Sequence, residues 1–296
     1  MRLLVIGTEG QVARSLCELA TKTSDVTITC SGRPELDLLH PASIERALLA
    51  RSPDLIVNPA AYTAVDRAES ETELAFAINR DGAGNVALAA AQTGVPIIHL
   101  STDYVFDGKK NGAYVETDPV APQGIYGQSK LAGEYAVAAA NKRHIILRTS
   151  WVYAPFGNNF VRTILRLSKE RNKLSVVDDQ IGCPTYAPDL ALAIVEIARK
   201  VLSNSWDKQQ FAGITHICGA DELSWFAFAR KIMHFSKVMS GHSVDVEAIP
   251  TAAYPTAAPR PANSRLCCNR LASIFDIRMP CFETSLEKCM RRLFST

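Results

Sequence analysis

LLVIGTEGQVARSL, residues 3–16, decides how this chain reads. A short aliphatic run, Leu3 to Ile6, passes into Gly7-x-x-Gly10-x-x-Ala13 and then into helix-favouring residues. A glycine after a strand permits a tight turn, and a second lets the backbone approach a pyrophosphate. A small third residue lets the helix pack closely while its first amide groups face the phosphates. The letters alone are weak, but their position between a strand and a helix makes them a dinucleotide fingerprint.

Working outward, the first half alternates β-branched runs with helical patterns. Strands are expected at 3–7, 26–30, 55–60, 96–101 and 145–150, and helices at 10–22, 41–51, 69–93 and 124–142. That rhythm builds βαβ units and a parallel sheet. The fold class is α/β, a doubly wound parallel sheet of Rossmann type with a smaller C-terminal substrate-binding portion. We divide the chain into 1–150, the dinucleotide-binding part, and 151–296, a substrate-binding portion interleaved with the sheet. In the second part the pattern predicts a helix at 158–170, a strand at 174–178, a helix starting at Pro188 and Asp189, another near 223–236 and a closing helix in LEKCMRRLFS. The proline-rich stretch 249–266 reads as a surface loop or linker.

Bulk properties narrow the function. The chain has 296 residues, 47% hydrophobic and 21% charged, enough for a full core. Its 32 basic and 30 acidic residues leave a net charge of +2 without a basic patch, which argues against a nucleic-acid partner. No run of roughly 18 apolar residues is present to span a membrane, and no signal-peptide pattern is seen, so a cytoplasmic location is expected. The eight cysteines include no CxxC pair, and all are expected to be reduced thiols, with no role assigned to Cys267 and Cys268.

An acidic residue commonly ends the second strand where NAD is held by its ribose hydroxyls. Here CSGRPELDL stands in that place. Ser31 and Arg33 suit a ribose 2′-phosphate instead, the arginine through a charge-assisted fork. NADPH is therefore expected over NADH, with shared use of both left open.

Tyr126 and Lys130 lie four apart in IYGQSKLAGE, about 6 Å of rise along one helix face. A free phenol titrates near pH 10, and an ammonium beside it stabilises the phenolate and makes the phenol a better acid. STDYVFDG, residues 101–108, follows the fourth strand at the carboxyl edge of the sheet, where such folds bind ligands. Thr102 can there hydrogen-bond a substrate carbonyl beside the tyrosine.

Together these residues resemble the extended, nucleotide-sugar-modifying short-chain dehydrogenase/reductases. The motifs GTEGQVA, VNPAAYTAVDRAE, STDYVFDG, ETDPVAPQGIYGQSKLAGE, LRTSWVYAPFGNNF, DDQIGCPT and RPANSRL are similar, along essentially the whole chain, to those of the dTDP-4-dehydrorhamnose reductases within that family. The resemblance implies reduction of the C4 ketone of dTDP-4-dehydro-β-L-rhamnose by NADPH, in the making of dTDP-rhamnose for a bacterial surface glycan.

By motif, it implies that Gly10, Gln11 and Val12 meet the pyrophosphate, Asp37 and Leu38 the adenine region, and Ala61, Tyr62 and Thr63 the middle of the cofactor. It makes Tyr126 the proton donor, with Lys130 also on the nicotinamide ribose. Thr102 and Asp103 fall at the sugar, and Trp151, Asn159, Phe160 and Arg260 on the substrate, Arg260 at the diphosphate.

Some relatives of this type form a metal-bridged dimer through acidic residues; Ser15 and Arg292 stand in the corresponding places here, so no magnesium is expected and a monomer or weak homodimer is. A 4,6-dehydratase would want a carboxylate where Tyr104 stands, which disfavours elimination. An epimerase with retained NAD and a non-catalytic NADP-binding regulatory subunit stay as alternatives.

Overall fold

The computed structural model describes residues 1–21, 25–203 and 208–295. The first half runs β1 (Arg2–Ile6), α1 (Gln11–Leu19), β2 (Thr27–Ser31), α2 (Pro41–Arg51), β3 (Leu55–Asn58), α3 (Val65–Ala68), α4 (Thr72–Phe76), a π-helical turn (Ala77–Gly82), α5 (Ala83–Gln92), β4 (Ile97–Thr102), α6 (Ile125–Ala140) and β5 (His144–Thr149). The second half runs β6 (Val152–Tyr153), α7 (Phe160–Glu170), β7 (Lys173–Val177), β8 (Ile181–Gly182), β9 (Thr185–Tyr186), α8 (Ala187–Ser203), α9 (Lys208–Phe211), β10 (Gly213–His216), β11 (Leu223–Ser224), α10 (Trp225–Ser240), β12 (Asp245–Ile249), β13 (Asn263–Ser264), α11 (Asn269–Phe275) and α12 (Phe282–Phe294).

Six strands pair in the order β10-β5-β4-β3-β1-β2, all parallel. The order reverses between β1 and β3, and that crevice at the carboxyl ends is where a doubly wound sheet takes its ligand. Side chains alternate along each strand, so the sheet has two apolar faces. Leu3, Val5, Leu55, Val57, Ile98 and Leu100 face Leu16 of α1, Leu190, Ile194 and Ile197 of α8, and Leu271 of α11. Leu4, Ile6, Ile56, Ile97 and Ile146 face Ile44 and Leu48 of α2, Val86 of α5 and Val137 of α6. Full burial stabilises each such side chain by roughly 1.5–3 kcal/mol over exposure. A separate core unites α7, α10 and α12 around Tyr153, Phe228, Ile232, Phe282 and Leu286.

The expected strands and helices of the first half are present within one or two residues, except at two places. The helix expected at 10–22 stops at Leu19, and residue 22 lies outside the described residues. The helix expected at 69–93 is divided into α4, the π turn and α5. Periodicity misses such a break because one wider turn shifts the apolar stripe without ending it. In the second half the short strands β6, β8, β9, β11 and β13 escaped the pattern because two residues show no alternation. β10, which completes the main sheet, and β12, which pairs with β7, are likewise not among the elements that the sequence predicts.

The cysteine expectation is corrected at one pair. Cys17 of α1 and Cys30 of β2 are joined in a disulfide, their Cα atoms 6.2 Å apart. The 13-residue separation shows no recognised pairing motif, and only the packing of α1 on β2 brings the two together. Cys183, Cys218, Cys267, Cys268, Cys281 and Cys289 are free thiols.

Candidate active site

The glycine turn stands between β1 and α1, in the strand-to-helix position that the sequence suggests. Gly7 takes φ +103°, a left-handed conformation that strains other residues. Its N–H donates to the Ser31 carbonyl at 2.6 Å, joining the turn to the end of β2. No side chain caps the amino end of α1, so its first N–H groups are open to an anion. A Cβ at Gly10 would meet nothing within 4 Å, which leaves room for a pyrophosphate. Ser31 Oγ is buried without a hydrogen-bond partner, and the Arg33 side chain beyond it is exposed. A phosphorylated dinucleotide fits these residues.

The segment after β3 is held by a residue that the sequence did not single out. Asn79, in the π turn, accepts from Tyr62 N at 2.8 Å and donates to Tyr62 O at 3.0 Å and to Ser129 Oγ at 2.9 Å. It thus ties the Ala61-Tyr62-Thr63 segment to α6 beside Lys130. Tyr62 Oη donates to Glu71 at 2.6 Å. On the other rim, Leu38 packs beside Gly82, and Asp37 Oδ1 accepts from Leu39 N at 3.0 Å.

Thr102 ends β4, and Tyr126 and Lys130 occupy the first turns of α6. The helix comes close because residue 127 is glycine: a Cβ there would lie 2.2 Å from the Tyr104 carbonyl. Burial pushes the Tyr126 phenol up to about 12, while a hydrogen bond with Thr102 acts in the opposite direction. Thr102 Oγ1 also donates to Asp103 Oδ1 at 3.0 Å. Burial raises the Asp103 carboxyl to about 6, with hydrogen bonds from Ser264 and Thr102 opposing it. Tyr104 packs edge-on to Tyr126 at 5.4 Å, and its own phenol is also pushed up by burial.

Lys130 Nζ is buried and donates to the Leu100 carbonyl at 2.6 Å. Burial lowers the lysine to about 8, and the Glu134 charge partly restores it. Glu134 in turn is clamped by Arg148, Nε to Oε1 at 2.8 Å and Nη2 to Oε2 at 2.6 Å, and accepts from Ser101 Oγ at 2.6 Å.

The remaining sequence candidates line the second half. Trp151 sits at φ +47°, left-handed for a bulky residue, and stacks on Trp225 with ring centres 3.4 Å apart. Phe160 leans on Trp225 at 4.5 Å, so the three rings form one aromatic wall. Nothing in the sequence singles out Trp225, which opens α10 with no motif around it. Asn159 caps α7 through Arg162 N at 3.2 Å and donates to Gln11 Oε1 at 2.9 Å, so its polar atoms clamp the two halves together. Arg260 is paired with Asp66 at 2.6 Å. Ser15 Oγ donates to the Gln11 carbonyl at 2.7 Å, and Arg292 pairs with Glu18 at 2.9 Å. No cluster of three metal-ligating side chains occurs among the described residues, and no helix among them is long and apolar enough to cross a membrane.

The sequence profile of the RmlD substrate binding domain family matches residues 1–295. This chain belongs to that family. As a member of the RmlD substrate binding domain family it has curated relatives, among them a dTDP-4-dehydrorhamnose reductase of Sinorhizobium fredii. The two are 49% identical over 288 residues, which covers 97% of this chain and 96% of that one. Among solved structures, a dTDP-4-dehydrorhamnose reductase of Clostridium acetobutylicum superposes with a TM-score of 0.89 at 34% identity, covering 99% of each chain. That of Bacillus anthracis, solved in complex with NADP, gives a TM-score of 0.87 at 36% identity over 97% of this chain and 98% of that one.

Proposed function

We propose that this chain is an NADPH-dependent dTDP-4-dehydrorhamnose reductase, which converts the C4 ketone of dTDP-4-dehydro-β-L-rhamnose to the alcohol of dTDP-β-L-rhamnose. The observation that carries this reading is the junction of Tyr126 and the buried Thr102 and Lys130 with an open dinucleotide turn, in a chain related over its whole length to reductases of that name. Bound NADPH supplies the hydride for C4.

Gly7, Gly10, Gln11 and Val12 would seat its pyrophosphate, Ser31 and Arg33 the 2′-phosphate, Asp37 and Leu38 the adenine side, and Ala61, Tyr62 and Thr63 its middle. Tyr126 donates its phenolic proton to the C4 oxygen, which leaves the substrate as an alcohol. Thr102 orients that oxygen, and Asp103 stands behind the threonine. Lys130 places a positive charge beside the phenolate as it forms and holds the nicotinamide ribose. The aromatic wall of Trp151 and Phe160 faces the sugar, Asn159 keeps the wall fixed to Gln11, and Arg260 takes the diphosphate after leaving Asp66.

Residues 1–150 hold the cofactor and supply the groups at C4, and 151–296 form the rest of the substrate-binding portion, with β10 lent back to the main sheet. We place the enzyme in the cytoplasm as a monomer or weak homodimer. Tyr104 supports reduction over dehydration: a phenol held up by burial is no base for removing a proton near neutral pH.

The test follows NADPH absorbance when dTDP-4-dehydro-β-L-rhamnose is added to the wild-type protein and to Tyr126→Phe. Oxidation by the first, with a loss of about 100-fold or more in the second, is expected. No oxidation by the wild type would reject the assignment.

A further inference from the structure

Besides the Leu100 carbonyl, Lys130 Nζ faces Nε2 of His99 at 3.4 Å. His99 is wholly buried in β4, and the reduction as described leaves it without a task. Its second nitrogen, Nδ1, lies 3.3 Å from Asn58 Nδ2. The Asn58 Oδ1 atom is already used, accepting from Ala60 N at 3.3 Å. An amide nitrogen only donates, so Nδ1 accepts. A neutral imidazole with an accepting Nδ1 carries its hydrogen on Nε2. Burial beside Lys130 holds the ring far below the usual histidine range and therefore neutral. Its Nε2–H points at the lysine nitrogen.

That arrangement has a sign. An ammonium facing an N–H is two donors in opposition, whereas the neutral amine offers a lone pair to the same hydrogen. Glu134 on α6, held by Arg148 of β5 and Ser101 of β4, pulls the other way and keeps the ammonium accessible. Tyr126 stands one turn before Lys130 on α6, and Asp103, after β4, acts electrostatically on Tyr126.

We propose that His99, oriented by Asn58, is a positioning residue whose Nε2–H works against the charged form of Lys130 and so makes that ammonium a ready proton source for Tyr126. The proton count closes over one turnover. The Tyr126 phenol gives its proton to the C4 oxygen, Lys130 returns one to the phenolate and becomes an amine, and the amine accepts the Nε2–H bond. Solvent water then protonates the amine as product leaves. The catalytic part rests on the reductase reading, and the tautomer does not.

The experiment has two arms. In the cofactor-free wild-type protein labelled with 15N-histidine, His99 is identified among the six histidines by its contact with Lys130. Its shifts should report a neutral ring protonated on Nε2 from about pH 5 to 9. In turnover, His99→Leu should move the alkaline limb of kcat up by about one pH unit. His99→Gln, whose amide can present an N–H again, should bring the limb back toward the wild type, and thermal melting checks that both variants fold. A proton found on Nδ1, or an unmoved limb in folded His99→Leu, overturns the proposal. Absence of NADPH turnover in the wild type would instead overturn the reductase reading and remove only the catalytic consequence, since the tautomer is read without substrate.

Discussion

Asn79 Nδ2 donates to Ser129 Oγ at 2.9 Å, which fastens the π turn to the residue that precedes Lys130. The same amide spans the backbone of Tyr62 in both directions. Replacing Asn79 with alanine strips partners from buried groups, at about 1–3 kcal/mol for each one left unsatisfied. We expect Asn79→Ala to lower the thermal midpoint and to raise the KM for NADPH more than it lowers kcat. Calorimetry with steady-state kinetics checks both, and an unchanged KM would separate the π turn from the cofactor.

The pH response follows from Lys130. Its amine is lowered from 10.5 to about 8 by burial, so the ammonium that the proposed reduction uses is lost above about pH 8, and kcat should fall there about tenfold per unit. Stability moves oppositely. Between about 8 and 10.5 the unfolded chain holds the proton and the folded one does not, so this residue adds stability as pH rises. Lys130→Met should remove that rise, read as urea midpoints on the two sides of the window.

Ser31 Oγ lies buried and unpartnered just before Arg33, an arrangement that suits a phosphate more than a ribose hydroxyl. For Arg33→Ala we expect the ratio of kcat/KM for NADPH over NADH to drop by about tenfold or more, a loss on the scale of a charge-assisted hydrogen bond. An unaltered ratio would leave the 2′-phosphate without its arginine.

Asp66 holds Nη2 of Arg260 at 2.6 Å, so a diphosphate approaching that nitrogen would compete with the carboxylate. Neutralising the competitor with Asp66→Asn should therefore lower the KM for the nucleotide sugar several-fold, whereas Arg260→Ala should raise it about tenfold with little change in kcat. Parallel shifts in both variants would mean that the pair acts only as a clasp for the proline-rich loop.

Much of the sheet half was legible because its signals are local. Aliphatic runs of four to six residues, a glycine turn and Tyr-x-x-x-Lys at one helical turn each show in a single window. What was not legible depends on the chain meeting itself. The Cys17–Cys30 bridge, the Asn58–His99–Lys130 chain and the stacking of Trp151 on Trp225 join residues whose spacing carries no period. Arg260 stands out in RPANSRL as a cation, but its partner Asp66, 194 positions earlier, cannot be read from that motif.

The strand Gly213–His216 closes the main sheet next to β5, and α8 and α11 cover one of its faces. Synthesis runs from the amino terminus, so a ribosome finishes the glycine turn roughly two hundred residues before it delivers the strand and helices that seal the layer around it. Until then Leu55, Val57, Ile98 and Leu147 have little but α1 to cover them. The nascent chain must be kept from sticking to its neighbours through that interval, and the cofactor cleft becomes a finished object only near the end of translation.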